Sequence, residues 1–292
     1  MLPQQGRRAS SQGAPPITGE DDEGGCAFVP LVSICIVTHN ASEHVRRCLE
    51  SIRRRSHVPY ELVVIDNASR PETRELLRSQ PDLKLALNDE NRLWCAGINQ
   101  AMGMADDRSD YLLLLNPDIE VLADNWLEVM LRIFASDSRI GVVGTAHNYA
   151  PTGPMYGWID GSCFMVRHSL IRALGPFDAE RFPWAGAPGL WCARAWKAGW
   201  RYRLVNPRDR LLRHDIGASR REYGSEERLP EGVFRAVPSL HDLMYECRIE
   251  ARRVRQPRRQ LDRTFTWLRF FRRSIVASPL MNRTPGGTQC GR

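Results

Sequence analysis

From Leu31 onward, short apolar runs alternate with amphipathic polar stretches. Val32-Ser33-Ile34-Cys35-Ile36-Val37 has the near-continuous apolar character of a strand buried on both faces, and Thr38-His39-Asn40 closes it as a turn. Glu43 to Arg54 then sets Val45, Leu49 and Ile52 at helical spacing. The unit recurs, with a strand over Glu61 to Asp66, a turn at Asn67-Ala68-Ser69, a helix over Pro71 to Ser79 and a short strand over Leu83 to Leu87. Ala96 to Ala105 predicts another helix, and Tyr111 to Leu115 the next strand. Farther along, Asn125 to Ala135, Ser169 to Ala173 and Gly189 to Ala198 read as helices, while Ile140 to Val143, Cys163 to Val166, Tyr202 to Asn206 and Arg210 to His214 read as strands. Such alternation with short polar links predicts an α/β fold with a mostly parallel central sheet flanked by helices.

Three strand ends carry the chemistry: Thr38-His39-Asn40, Asp66-Asn67 and Asn116-Pro117-Asp118. Pro117 cannot donate to a sheet ladder, so it ends the pairing and leaves Asp118 beyond the carboxyl end of its strand, where open α/β sheets place ligands. Two carboxylates there suit an anionic ligand: one can bond a base or ribose, the other can hold a divalent cation against phosphate oxygens. Their hard oxygens match Mg²⁺ or Mn²⁺. No G-x-G-x-x-G follows the first strand, which disfavours a dinucleotide site.

Composition adds boundaries. Residues 1–28 are rich in Gln, Gly, Pro and Ser and nearly lack large apolar side chains, which predicts a disordered tail. No run approaches the roughly 18 to 20 apolar residues of a membrane span and the first thirty lack a secretory apolar core, so a cytoplasmic location is expected. The eight cysteines form no C-x-x-C pair, as reduced core cysteines would not. A net charge of +7 favours anionic partners. Residues 225–292 read as a basic, partly helical extension. Ten arginines between Arg248 and Arg273 are interleaved with Leu261, Phe265, Trp267, Leu268, Phe270 and Phe271. A helix over 248–275 could pack on the main domain or dock peripherally on an anionic membrane surface. Nucleic acid is disfavoured, because no nucleic-acid module accompanies it.

Val32 to Asn40, Glu61 to Ser69, Asn91 to Ala101 and Leu112 to Asp118 together resemble family 2 glycosyltransferases of the GT-A fold, over roughly residues 31 to 216. The resemblance implies a GT-A domain over 29–224, with the leucine run and Asn-Pro-Asp as the rhamnosyltransferase-like variant of the D-x-D motif. It assigns Asp118 to a Mn²⁺ or Mg²⁺ that bridges the donor diphosphate, Asp66 to the nucleotide base, and Thr38, Asn40, Asn67 and Asn116 to the donor. Asn91, Gly97 and Asn99 fall in a segment similar to the family's loop and helix beside the donor. Gly161 to Arg167 and Leu174 to Asp178 resemble the acceptor-side strand and its following turn, and His214 matches a further metal ligand. The implied activity moves a sugar from a UDP- or dTDP-sugar to a hydroxyl, on a cell-surface glycan or a lipid-linked saccharide. Inverting members carry Glu-Asp-x-Asp as the source of the base, where this chain has Ala187-Pro188-Gly189-Leu190. Asp160, Asp178 and Glu180 remain nearby as candidate bases, and Asp160, at a strand start facing the cleft, is the preferred one. Two rival readings are a nucleotide-binding scaffold without turnover and a basic membrane-surface or nucleic-acid module.

Overall fold

Why one sheet can bury both faces is visible in its first strand. In a computed structural model, which describes residues 29–217 except 146, 150–156 and 185 and leaves aside the side chains of 147–149, 157 and 158, β1 is Val32–Thr38. Val32, Ile34 and Ile36 pack into one apolar cluster, Cys35 and Val37 into another. The period of two sends successive side chains to opposite faces.

The remaining elements, in chain order, are α1 Ser42–Arg55, β2 Tyr60–Asn67, α2 Pro71–Arg78, β3 Leu83–Asn88, α3 Leu93–Met104, β4 Tyr111–Leu115, β5 Ile119–Val121, α4 Trp126–Ser136, β6 Ile140–Gly144, β7 His147–Tyr149, β8 Gly157–Ile159, β9 Cys163–Arg167, α5 His168–Leu174, α6 Ala187–Lys197, β10 Arg201–Leu204, a 3₁₀ turn Pro207–Asp209, and β11 Leu212–His214. The seven-stranded sheet has the order β10-β6-β9-β4-β1-β2-β3. All its pairings are parallel except those of β9, which runs antiparallel to β4 and to β6. Helices α1, α2 and α4 cover one face through Val45, Leu49, Ile52, Leu77, Trp126, Met130 and Phe134. On the other, α3, α5 and α6 bring Ile98, Leu170, Leu190 and Trp191 against Leu112, Leu114 and Phe164. Each such side chain contributes about 1.5–3 kcal/mol of burial.

The differences from the expected pattern have local causes. Helix α3 starts a turn earlier than its periodicity suggests, because Leu93 enters it from a left-handed backbone (φ 63°) while its N–H donates to Asn91 Oδ1 at 3.0 Å. Pro188 favours the start of α6, which begins at Ala187 rather than Gly189. β5, β7 and β8 have three residues each, too few to show a period. Cys35, Cys48, Cys95, Cys163 and Cys192 are buried free thiols, and burial pushes the last four up to about 12. Among the described residues no helix is long and apolar enough to cross a membrane. The expected tail (1–28) and basic extension (225–292), with its helix over 248–275, lie outside the described residues.

At the end of the sheet remote from the three turns, Glu61 ties β1, β2, β3 and the segment before β4 together. Its Oε1 accepts from Ser33 Oγ at 2.5 Å and from the Asp106 N–H at 2.6 Å, and Lys84 Nζ lies 2.6 Å from Oε2. Burial alone would raise this carboxyl, but the bonds from Lys84, Ser33 and Asp106 outweigh it and hold it below the usual range. The unfolded chain therefore binds this proton more readily. The stabilisation is complete above the unfolded value of about 4.3 and is lost as pH falls through the lowered folded one. Between about pH 5 and pH 3 the wild type should lose thermal midpoint more steeply than Glu61→Gln. Parallel pH profiles in scanning calorimetry would show that Glu61 carries no such linkage.

Candidate active site

Strands β1, β2 and β4 end at one edge of the sheet, and the acids at two of those ends live in different environments. Thr38 stands beside Asp66 in the parallel register and donates to its Oδ1 at 3.2 Å. Oδ2 accepts the Ser69 N–H at 3.1 Å and pairs with Arg74 Nε at 3.3 Å. Asp66 is 0% exposed, so its carboxylate is committed inside the protein, organising the turns after β1 and β2. Asn40 completes this corner in a left-handed conformation (φ 61°) that asparagine tolerates. Its N–H donates to Ser69 Oγ at 2.7 Å, and its Oδ1 accepts the Arg70 N–H at 2.7 Å.

The neighbouring residues expected at the donor are also engaged. Asn67 donates through Nδ2 to the Leu93 carbonyl at 3.0 Å and accepts from Asn88 Nδ2 at 2.9 Å, joining β2, β3 and the start of α3. Asn91 forms the turn before α3. A Cβ at Gly97 would come within 2.9 Å of Val37 Cγ1 and 3.2 Å of Asn67 Nδ2, so this glycine lets α3 lie close on β1. Asn99 donates to the Phe177 carbonyl at 2.8 Å and accepts the Phe177 N–H at 3.0 Å, clamping the acceptor-side turn to α3. Gly97 and Asn99 thus have packing roles that account for them without a ligand.

Asp118 is placed differently. The turn after β4 is closed by the Ile119 N–H donating to the Asn116 carbonyl at 3.3 Å, and it leads directly into β5. β5 pairs antiparallel with β11, opposing His214 to Ile119 and Leu212 to Val121. The Asp215 N–H donates to the Asp118 carbonyl at 3.0 Å, extending the ladder. The ribbon brings His214 Nε2 within 3.1 Å of Asp118 Oδ1 and 3.5 Å of Asn116 Nδ2. Asp118 is 12% exposed, yet Oδ1 makes no hydrogen bond among the described residues. A shielded carboxylate oxygen facing an imidazole nitrogen, with capacity to spare, suits a shared divalent cation: carboxylate oxygen and imidazole nitrogen are both accepted by Mn²⁺. Among the described residues no group of three or more His, Cys, Asp or Glu could hold a metal, so other ligands would have to come from substrate and water.

A cavity of about 310 Å³ opens beside this pair, lined also by His44 and Arg47 of α1 and by Glu120, Arg213 and Asp215. His44 Nε2 lies 2.9 Å from Asp215 Oδ2, and Arg213 pairs with Glu120. None of the α1 residues stood out in the sequence, since a polar residue on an amphipathic helix reads as a solvated face. Arg220 and Arg221 lie outside the described residues.

On the acceptor side, Ala187-Pro188-Gly189-Leu190 forms the buried first turn of α6. Behind it, Phe164, Phe177 and Trp191 meet edge to face at 5.7–6.0 Å, with Trp94 stacked on Phe177 at 5.9 Å. Asp178 caps its own turn by accepting the Arg181 N–H at 3.1 Å, and Glu180 is exposed. Asp160 is half-buried, and its Oδ1 accepts the Ser162 N–H at 2.8 Å. Because the Asn116 N–H donates to the Ser162 carbonyl at 2.9 Å, Asp160 lies near the edge that carries Asn116-Pro117-Asp118.

A mixed sheet with helices on both faces and an acid at the end of its central strand defines the GT-A class of glycosyltransferase folds. Solved structures agree: a mannosyltransferase from Pyrobaculum calidifontis in complex with GDP-Man and Mn²⁺ matches with a TM-score of 0.52 at 18% identity, over 86% of this chain and 84% of that one. GalNAc-T7, solved with UDP, GalNAc and Mn²⁺, matches with a TM-score of 0.50 at 15% identity, over 62% and 43%. The family model described as Glycosyl transferase family 2 matches residues 33–182, and the chain belongs to that family. An uncharacterised protein of Sinorhizobium fredii is 33% identical over 42% of this chain, and a TPR repeat-containing protein of Synechococcus elongatus 31% identical over 35%. The matched segments span only 14% and 24% of those two relatives. An N-acetylglucosaminyl-diphospho-decaprenol L-rhamnosyltransferase of Mycobacterium tuberculosis is 22% identical over 67% of this chain and 80% of its own length.

The packing role of Gly97 is open to test. Gly97→Ala should lower stability by about 1–3 kcal/mol in urea unfolding, because α3 must shift off Val37. Unchanged stability with weakened nucleotide binding would make Gly97 a donor contact instead.

Proposed function

We propose that this glycosyltransferase takes a nucleotide-diphosphate sugar, a UDP- or dTDP-sugar, and transfers the sugar to a hydroxyl of a lipid-linked saccharide or surface glycan. The observation that carries this reading is the pairing of Asp118 with His214 beside a polar cavity, with a carboxylate oxygen held ready but not hydrogen-bonded. Asp118 and His214 would hold Mn²⁺ or Mg²⁺, which when bound neutralises diphosphate charge. The Mn²⁺ in both structural neighbours supports the choice of ion, and the name of the mycobacterial relative supports a lipid-diphosphate acceptor.

In the transfer, the acceptor oxygen forms a bond to the anomeric carbon as the bond from that carbon to the diphosphate oxygen breaks. The bonding pair leaves on the diphosphate, and the hydroxyl proton passes to a base. Asp160 is the residue we assign to that proton. It lies near the donor edge, whereas 187–190 offers no acid. Asn116 orients His214, while Thr38, Asn40, Asp66, Asn67 and Asn91 hold the turns that frame the nucleotide.

Asp118→Ala should abolish Mn²⁺-dependent donor binding in calorimetry with UDP- and dTDP-sugars. Asp160→Asn should keep donor binding but lower transfer to a polyprenyl-diphosphate-linked sugar about 10²–10⁴-fold. Nucleotide binding without transfer or hydrolysis by the wild type, across these donors and acceptors, would identify a scaffold rather than an enzyme.

A further inference from the structure

Helix α1 contributes His44 and Arg47 to the cavity wall, and one nitrogen of Arg47 is left without a hydrogen bond among the described residues. Arg47 lines the cavity together with Asp118 and His214. Its Nε is buried and makes no hydrogen bond among the described residues. The nearest acid, Glu43, keeps its Oε1 3.7 Å from that nitrogen, beyond hydrogen-bond reach. Glu43 is instead held by Arg46, whose Nε and Nη2 donate to it at 2.9 and 2.7 Å. The other cationic groups on the cavity wall sit closer to their acidic partners, Arg213 to Glu120, His44 to Asp215 at 2.9 Å and His214 to Asp118 at 3.1 Å, whereas Arg47 has only the longer ion pair with Glu43. Removing a guanidinium N–H from water with no acceptor in return is unfavourable, and the imbalance ends when an anion enters.

We infer that Arg47 grips the diphosphate of the donor within the cavity it shares with Asp118 and His214, as a phosphate-binding residue for the leaving group. This rests on the donor reading given above. Three features select a phosphate. A guanidinium presents a planar fork that matches two oxygens of a tetrahedral oxyanion. A cavity of about 310 Å³ is at the lower end of small-molecule sites, suited to the diphosphate portion rather than a whole nucleotide sugar. A cation held by Asp118 and His214 would offset part of the charge of a diphosphate, and Arg47 would supply a second cationic contact to the rest. When the bond to the anomeric carbon breaks, its electron pair moves onto the departing phosphate oxygen, adding negative charge that a preplaced guanidinium stabilises without reorganisation.

Inorganic pyrophosphate with Mn²⁺ isolates this contact from base and sugar recognition. In calorimetry on the full chain, Arg47→Gln should weaken pyrophosphate about ten- to a hundredfold while leaving Mn²⁺ affinity, read by paramagnetic resonance, within about twofold. Arg47→Lys, which keeps the charge and loses the fork, should fall between Arg47→Gln and wild type. Pyrophosphate affinity in both variants equal to that of wild type overturns the role of Arg47 and leaves the donor reading standing. Failure of the wild type itself to bind pyrophosphate with Mn²⁺ overturns the anion site as a whole. Thermal midpoints near that of wild type confirm that either variant is folded, as expected for a side chain 41% exposed at the surface of α1.

Discussion

The geometry of the site depends on a ladder of three residue pairs. β5 and β11 belong to no larger sheet, yet their antiparallel pairing carries the chain from beyond β10 back to the turn at Asn116-Pro117-Asp118. Without that pairing, Asp118 would stand beyond its strand with no imidazole beside it. With it, His214 is fixed one residue out of step with Asp118, and backbone bonds at both ends, from Asp215 to Asp118 and from Leu122 to Leu211, hold the register. Side chains lock it from α1: Ser51 Oγ accepts the Val121 N–H at 3.0 Å, and the Cys48 thiol donates to the Asn116 carbonyl at 3.8 Å. The ribbon is therefore supported from below by the same helix that supplies Arg47 to the cavity.

Asp66 and Asp118 show how two acids with the same sequence context divide their work. Both follow apolar runs, Asp66 near the end of β2 and Asp118 in the turn between β4 and β5, so periodicity treats them alike. Two hydrogen-bond donors, the Thr38 hydroxyl and the Ser69 N–H, and an ion pair with Arg74 surround Asp66, and removing any of them would leave a buried carboxylate short of compensation. Asp118 has capacity left over. A protein that can satisfy every lone pair internally has no need of a ligand there. One that leaves a shielded oxygen without a hydrogen bond keeps room there for a ligand.

How much of this could be read from the residues follows the range of the interactions. β1, β2 and β4 are near-continuous apolar runs buried on both faces, and such runs fix the parallel sheet with its strand ends at one edge. The family resemblance suggested Asp118 and, separately, His214 as metal ligands, and the structure sets the two side chains 3.1 Å apart. What stayed hidden is the destination of side-chain amides. Asn99 and Asn67 carry the same chemistry as a donor-contacting asparagine, but their hydrogen bonds to Phe177 and to Leu93 span 78 and 26 residues, a separation no local pattern records. β5 was hidden for a different reason. Ile119-Glu120-Val121 is too short to display a period and is a strand only because Leu212 to His214 returns to pair with it.

The start of α6 sets the chemical problem that the rest of the acceptor side must solve. Leu190, 1% exposed, packs with Phe164, Phe177 and Trp191, and Pro188 comes close enough that a Cβ on Gly161 would lie 3.2 Å from its ring. A carboxylate placed in this buried turn would lose its hydration beside aromatic rings, so its charged, proton-accepting form would be the one penalised. This turn cannot hold a base without being repacked, and the apolar cluster is better understood as the support for what faces it. Trp94 Cη2 would lie 2.8 Å from a Cβ at Gly161, and only a glycine there lets the β8–β9 link run this close beneath the indole. Asp160 immediately precedes this glycine, and its Oδ1 accepts the Ser162 N–H at 2.8 Å. The first turn of α6 and the β8–β9 link therefore share one packing contact, Pro188 against Gly161, and neither can be repacked without the other.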